Sequence, residues 1–410
     1  MQLSTSRLEI TYLQTTSLKP DPRNPRVHSD KQVRQIAQSI ESFGFNVPLL
    51  IDDEQKVMAF LIADNRLTEN GSWDERMLGD QLKILSELEL DFDLETIGFE
   101  VPEIDLFIDG LNALPESDPD DRLPEISGAA VTVAGDLWQL GKHRVLCGNS
   151  LVNANYELLM EGSKADLVIT DPPYNVVIDG HASGNGSVHH REFGMASGEM
   201  SSTEFTDFLR KAMVAARDHS ADGSLAYYFM DWRHMTEILA AGQQVYTGLL
   251  NLCVWAKSNG GMGSFYRSAH ELIFLFKNGT GSHRNNVQLG KFGRYRTNVW
   301  NYPGANSFSR SDPEGNLLAL HPTPKPVALV TDAIKDCTAR GDLVLDPFLG
   351  SGTAVIAAER SGRRCYGFEL DPLYVDTIIR RWQRLTKVDA INVGTGETFN
   401  SRDNERAGEL

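Results

Sequence analysis

Residues 343–352, LVLDPFLGSG, run from an apolar stretch into an acid, a proline and two glycines. Leu343–Leu345 reads as a buried strand that ends in Asp346, and TAVIAAERSG after Gly352 reads as a helix. A strand, a turn at Gly350 and Gly352, and a helix let the backbone pass close under a ligand and offer it free helix-start N–H groups. The next strand, CYGFELD, reaches Glu369 19 positions after Gly350. An acid at about that distance grips ribose hydroxyls, so the stretch reads as a site for a nucleoside-containing cofactor. Val355 stands where a dinucleotide fingerprint has Gly or Ala, which argues against NAD. The plainer alternative is an ordinary tight turn beside a surface glutamate.

Working back along the chain, ADLVIT (165–170) is a second apolar strand, and it runs into Asp171-Pro172-Pro173-Tyr174. Two prolines stiffen the backbone and leave its carbonyls without internal donors. A carboxylate beside a rigid carbonyl accepts both hydrogens of an amino group, and Tyr174 offers a face to a planar ring. That combination suits the exocyclic amine of a base turned out of its stack. A proline turn with a capping Asp is the alternative.

Strands and helices alternate around these loops. DLWQLGKHRVLCGNS reads as a hairpin, followed by a helix at about 203–219, strand SLAYYFM and a helix at about 232–242. Strands LLNLCVWAK and HELIFLFKN, helix PKPVALVTDAIKDCT and helix PLYVDTIIRRWQRLT follow. The pattern predicts an α/β domain with a parallel-type sheet covered by helices. Residues 178–202 read as a loop rich in Gly, Ser and His. Residues 389–410 read as a frayed polar tail.

The first hundred residues read as a separate small α/β unit. Strand RLEITYL leads into a helix, DKQVRQIAQSIESFG, capped by Ser29 and ended by Gly44, and VPLLIDD is a second strand. The acidic stretch 74–111 reads as helical, with one face solvated. LPESDPDDRLPEIS has no apolar period and reads as a linker. The expected division is a domain at 1–113, a linker at 114–130, a second domain at 131–388 and a tail at 389–410.

The formal charge is 39 − 56 = −17. Residues 1–130 carry 11 − 26 = −15 and residues 131–410 carry 28 − 30 = −2. The acidity therefore belongs to the first third and excludes little about partners of the rest. Between Glu271 and Asp312 the sequence has no acid but holds Lys277, Arg284, Lys291, Arg294, Arg296 and Arg310, interleaved with Phe292, Tyr295, Trp300, Tyr302 and Phe308. Cations among rings suit a nucleic-acid surface, and Arg284, Lys291, Arg294, Arg296 and Arg310 are the expected DNA contacts. A neutralising loop is the alternative. His189, His190 and Arg191 suit a loop that closes over a flipped base, and the two histidines lack further ligands for a metal. The four cysteines form no CxxC pair, which argues against zinc or disulfides and fits a reducing cytoplasm. No apolar run reaches about 18 residues, so no membrane span is expected, and MQLSTSRLEITYL lacks the build of a signal peptide.

TDPPYN, then HPTPKP, then LDPFLGSGT and FELDP resemble the DNA amino methyltransferases that use S-adenosylmethionine. The catalytic motif precedes the cofactor motif, as in the β-type group, and the resemblance covers about 133–386. It implies a Rossmann-like methyltransferase sheet with permuted motif order. It implies that Asp171, Pro172, Pro173 and Tyr174 hold the target amine. Asp346, Phe348, Gly350, Gly352 and Thr353 would border the methionine part of the cofactor, Glu369 would take its ribose, and His321, Thr323 and Lys325 would line the same pocket. Relatives usually read Gly-Asp-Ser near the cofactor adenine where this chain has Asn149, whose amide accepts a hydrogen bond but supplies no charge. The implied activity is methyl transfer from S-adenosylmethionine to N6 of adenine in a specific sequence of double-stranded DNA, with base flipping. N4-cytosine transfer is the neighbouring alternative, and a non-catalytic partition-type DNA-binding regulator is an alternative of another class. β-type relatives are often dimers, which leaves a homodimer open, and a restriction endonuclease partner is open as well. The segment 272–311 then lies where the target-recognition region is expected.

LKPDPRNPRVHSDKQVRQIAQSIESFGFNVPLLID resembles the ParB/sulfiredoxin-like domain. After KVMAF the chain passes directly to LIADNRLTENGSW, without that domain's Gly-His-Gly-Arg segment. An internally truncated domain implies scaffolding, oligomerisation or targeting rather than nucleotide hydrolysis.

Overall fold

A computed structural model of the chain describes residues 29–44, 73–88, 90–110, 118–121, 129–175, 198–258, 265–291, 294–303 and 325–409. It divides into two compact units, Met1–Asn112 and Ala113–Leu410.

In the first unit, helix α1 (Asp30–Phe43) starts where the sequence predicts. The Ser29 hydroxyl accepts the Gln32 N–H at 3.2 Å, and Gly44 ends the helix with φ 77°. The acidic stretch is helical as expected, forming α2 (Glu75–Glu87) and α3 (Val101–Asp109). Leu78 and Leu82 of α2 and Ile104 and Ile108 of α3 recur at helical spacing and bury one another in a small cluster. The expected strands RLEITYL and VPLLIDD lie outside the described residues.

The second unit is built on a ten-stranded sheet. In chain order its strands are β1 (Leu137–Leu140), β2 (His143–Cys147), β3 (Ala165–Thr170), β4 (Ser220–Met230), β5 (Gly248–Ala256), β6 (His270–Lys277), β7 (Val299–Asn301), β8 (Leu343–Asp346), β9 (Arg364–Glu369) and β10 (Ile391–Asn392). In space they run β10-β1-β2-β9-β8-β3-β4-β6-β5-β7. The helices are α4 (Asn153–Met160), α5 (Ser202–Asp218), α6 (Met235–Val245), α7 (Val327–Cys337), α8 (Thr353–Arg360), α9 (Pro372–Thr386) and α10 (Phe399–Glu409).

Five central strands, β2-β9-β8-β3-β4, are mutually parallel. Helices cover both faces, which is why β3 and β8 read as continuous apolar runs rather than alternating ones. The outer strands add antiparallel edges to this parallel-type sheet. β6 is antiparallel to β4 and β5 antiparallel to β6. At the other edge β1 is antiparallel to both β2 and β10. The chain leaves β8 through α8 toward β9 and leaves β3 through α5 toward β4, in opposite directions. The crevice at the carboxyl ends of these adjacent strands is where such sheets take ligands.

Two other expectations change. Residues 389–410 are not a frayed tail: β10 pairs with β1, and Phe399 of α10 is fully buried, its ring 5.5 Å from Trp138. One aromatic anchor in a polar segment suffices for this docking. Within the stretch read as a linker, Pro119–Asp121 form a 3-10 turn, and Asp120 in it and Asp118 just before it pair with Arg360 of α8.

Candidate active site

The ends of β3 and β8 are tied together. The Thr170 hydroxyl donates to Asp346 Oδ1 at 2.6 Å, joining the last residues of the two strands across the crevice. The same oxygen accepts the Phe348 N–H at 3.0 Å, which sets the first turn of the glycine loop. Gly352 adopts φ 82°, and a Cβ there would lie 2.7 Å from Ile378 of α9, so only glycine lets the loop pass this helix.

Glu369 supports the same loop from β9. Its Oε2 accepts the Gly350 N–H and its Oε1 the Asp371 N–H, each at 2.9 Å. Burial pushes both carboxyls, Asp346 and Glu369, up to about 7 despite these hydrogen bonds. Neither has an ion pair among the described residues. Asn149 lies beside Glu369 at the end of β2, where the Gly148 N–H donates to the Glu369 carbonyl at 2.9 Å. Its amide oxygen accepts the Leu151 N–H at 2.8 Å and starts the turn into α4.

Asp171 follows Thr170 directly. Tyr174 Oη donates to its Oδ1, and Lys325 Nζ sits 2.5 Å from its Oδ2. Lys325 also lies 3.1 Å from Glu271 Oε2 and over the ring of Tyr174. Lys257 pairs with the other Glu271 oxygen. Two ammonium groups thus meet two carboxylates. Burial opposes ionisation of Glu271, but Lys325 and Lys257 overcome it and hold its pKa down to about 2. Burial raises Asp171, and the Glu271 charge adds to that while Lys325 opposes it. Beyond Tyr174, Asn175 takes a left-handed backbone (φ 53°) and its side chain bonds Met200 O and the Gly198 and Met200 N–H groups. It fixes the far side of the loop.

The structure therefore brings together Asp171, Pro172, Pro173, Tyr174, Asp346, Phe348, Gly350, Gly352, Thr353, Glu369 and Asn149 at one end of the sheet. Lys325 joins them at the Asp171 side, while its carbonyl accepts from the Thr353 hydroxyl at 3.3 Å and so bridges the two loops. His321, Thr323, Arg310 and the His189–Arg191 segment lie outside the described residues. Glu271 and Asn175 did not emerge from the sequence as site residues. Glu271 showed only as the boundary of the acid-free stretch, and Asn175 only as the residue after Tyr174.

The basic stretch is a correction. Arg294 and Arg296 do not form an open basic surface. They pair with Asp332 and Asp336 of α7, at 2.7 Å from Arg294 to Asp336 and 2.9 Å from Arg296 to Asp336. Trp300 is buried in the core and Tyr302 donates to Asp332 at 2.5 Å. Arg284 is half-buried and Lys291 exposed. Among the described residues no helix is long and apolar enough to cross a membrane, and no His/Cys/Asp/Glu group could hold a metal.

The DNA methylase family model matches residues 165–380, from β3 through α9. The ParB-methyltransferase HTH domain model matches residues 76–134, from α2 through the acidic turn. The Type II methyltransferase M2.MboI of Moraxella bovis is 26% identical over 242 residues, 56% of this chain and 84% of that protein. M2.DpnII of Streptococcus pneumoniae is 26% identical over 230 residues, 54% of this chain and 84% of that protein. Among solved structures, the PvuII DNA methyltransferase (cytosine-N4-specific) is similar with a TM-score of 0.45 at 19% identity, over 60% of this chain and 91% of that one. With the family model spanning more than half of the chain, four of the five parallel strands and both loops at their carboxyl ends, the chain belongs to the DNA methylase family of N6/N4 amino methyltransferases.

Proposed function

We propose that the protein methylates the exocyclic N6 amine of adenine in DNA, using S-adenosylmethionine. The observation that carries this reading is the placement of Asp171-Pro172-Pro173-Tyr174 at the end of β3, bonded through Thr170 to the strand that opens the glycine loop. An amine acceptor and a cofactor loop thus face one crevice.

The residues present fit that cofactor. Burial keeps the Asp346 and Glu369 carboxyls raised despite their hydrogen bonds and, for Asp346, the charge of Lys325, and a ligand with an ammonium group and ribose hydroxyls relieves it. Gly350, Gly352 and Thr353 would lie along its methionine part, with Phe348 and Asn149 bordering the rest. S-adenosylmethionine supplies a methyl group already activated on a sulfonium.

The chain's own work is then positional. The oxygens of Asp171 are engaged by Tyr174 and Lys325 but retain lone pairs, since a carboxylate offers about four acceptor sites. Asp171 and a proline carbonyl accept the two amine hydrogens, favouring a more tetrahedral, nucleophilic nitrogen. Tyr174 stacks on the base. Lys325, held by Glu271, keeps the Asp171 carboxylate in place. The proton released after transfer leaves to solvent.

DNA meets this end of the molecule. Met230 of β4 pairs with Leu272 of β6, so the start of β6 and residues 265–269 of the connection that precedes it lie level with the carboxyl ends of β3 and β4. Phe265 and Tyr266 on that connection are 86% and 81% exposed and suit stacking against bases. The helix pair of the first unit, within the segment matched by the HTH model, supports targeting of the enzyme to DNA.

Incubation of the full chain with labelled S-adenosylmethionine and unmethylated DNA, followed by nucleoside mass spectrometry, tests the reading. N6-methyladenine is expected. N4-methylcytosine would overturn the adenine assignment, and no methylated nucleoside would overturn methyl transfer itself.

A further inference from the structure

The acidic turn near the start of the second unit is wired to both loops of the site. Within the turn, the Asp120 N–H donates to Asp118 Oδ1 at 3.0 Å and the Asp121 N–H to the Asp118 carbonyl at 3.1 Å. Three connections leave it. Arg360, the last residue of α8, engages both Asp118 oxygens, one of them at 2.5 Å, and also Asp120. Arg381 of α9 donates from Nη2 to the Asp120 carbonyl at 2.7 Å and from Nη1 to the Ser351 carbonyl, inside the glycine loop, at 2.6 Å. Asp121 Oδ1 accepts the N–H of Val327 at 2.7 Å. Val327 opens α7 two residues after Lys325, and its N–H is one that a helix start cannot satisfy internally.

The network closes on itself through the Thr353 hydroxyl, which lies 3.4 Å from Arg381 Nη1 and donates to the Lys325 carbonyl. Further along, the fully buried Asp376 of α9 accepts the Val131 and Thr132 N–H groups at 2.7 and 3.0 Å, so the segment is anchored at both ends. Arg381 is 2% exposed and has no ion pair among the described residues. Burial draws its pKa down to about 10, and the charges of Asp120 and Asp121 act against that.

We propose that the turn Asp118–Asp121 is a positioning element of the methyltransferase site: through Arg381 it fixes the Ser351–Thr353 loop, and through Asp121 it fixes the start of α7 and with it Lys325. This rests on the reading of the glycine loop as the S-adenosylmethionine site. The stretch joining the first unit to the catalytic one is on this account part of the cofactor machinery and not a passive tether.

Three full-length variants test it: Asp121→Ala, Asp121→Asn and the double variant D118N/D120N. Asparagine at 121 keeps an acceptor for the Val327 N–H, so it should rescue what alanine loses. S-adenosylmethionine affinity without DNA is read by calorimetry, and amide hydrogen exchange of 350–360 and 327–331 is read in the unliganded protein. Asp121→Ala and D118N/D120N should weaken affinity about fivefold, as loss of a helix cap does, and speed exchange at both segments. Turnover at saturating cofactor should stay within about twofold in D118N/D120N, a KM-against-kcat split that a purely structural role would not give, and should fall in Asp121→Ala, which also loosens Lys325 beside Asp171. Asp121→Asn should behave as wild type. Unchanged exchange in Asp121→Ala and D118N/D120N would overturn the proposal, and so would an asparagine variant as impaired as the alanine one. Failure of the wild-type protein to bind S-adenosylmethionine would overturn the cofactor reading instead, and the exchange data would still decide the positioning role.

Discussion

Lys325 places its ammonium 2.5 Å from Asp171 and 3.1 Å from Glu271, bridging two carboxylates that come from strand ends far apart in sequence. The lysine is 7% exposed. Removing it leaves two buried carboxylates facing Lys257 alone. Breaking a buried pair by deleting one partner costs about 3–5 kcal/mol, because the remaining charge is uncompensated. Lys325→Met should lower the unfolding free energy measured in urea by that amount and abolish transfer. A change under about 1 kcal/mol would mean that Lys325 does not compensate the two buried acids.

Cofactor affinity should rise with pH through neutrality. Burial pushes Asp346 and Glu369 up to about 7, from ordinary values of 3.8 and 4.5. Between about pH 4 and 7 the folded chain holds protons that the unfolded chain has lost. Unliganded stability from these groups therefore falls as pH rises across that window and levels off above it. A ligand that prefers the ionised carboxylates binds better over the same rise. Calorimetry should show about a tenfold gain in S-adenosylmethionine affinity from pH 6 to pH 8 if one carboxylate must ionise. The thermal shift caused by the cofactor should grow in parallel. A flat profile would show that neither carboxylate carries charge in the complex.

Phe265 and Tyr266 offer a check on where DNA lies. Their rings meet edge to face at 4.7 Å on the connection at the catalytic end of the sheet. Base stacking on an aromatic ring contributes about 1–3 kcal/mol. The double variant F265A/Y266A should weaken DNA binding about tenfold or more in fluorescence anisotropy, while calorimetric cofactor affinity stays as in wild type. Unchanged DNA affinity would place the duplex elsewhere.

Local signals carried the reading of the sequence, and the misreadings share one cause. LVLD followed by two glycines and DLVIT followed by Asp-Pro-Pro-Tyr are strand-to-loop patterns visible within ten residues, and both loops stand where those patterns put them. Glu271 and Lys325 meet only because β6 lies beside β4 and α7 starts under the glycine loop, a juxtaposition that no local pattern encodes. Arg294 and Arg296 look free along the chain because Asp332 and Asp336 follow some 40 residues later, one helical turn apart on α7. An acid-free stretch measures separation in sequence, and ion pairs form in space. The hairpin of β5 and β6 escaped notice for a related reason: a 13-residue connection between two apolar strands leaves the strand direction open.

The C-terminal segment gives the sharpest contrast between composition and packing. Phe399 is fully buried, its ring lies 5.5 Å from Trp138, and its N–H donates to the Ala390 carbonyl at 2.9 Å. Arg402 pairs with Asp136 at 2.8 Å and stacks over the same tryptophan. Both contacts reach the β1 edge of the sheet, and β10 extends that edge by one strand. Truncating a buried phenylalanine costs about 3–5 kcal/mol through lost transfer energy and the cavity left behind. A substitution in a frayed tail would stay within about 0.5 kcal/mol. Phe399→Ala should therefore lower stability by several kcal/mol in urea unfolding followed by tryptophan fluorescence. Cofactor affinity at temperatures well below the transition should be unaffected, since Phe399 packs against β1, which β2 and β9 separate from the glycine loop after β8. A near-neutral variant would return residues 389–410 to the status of a tail.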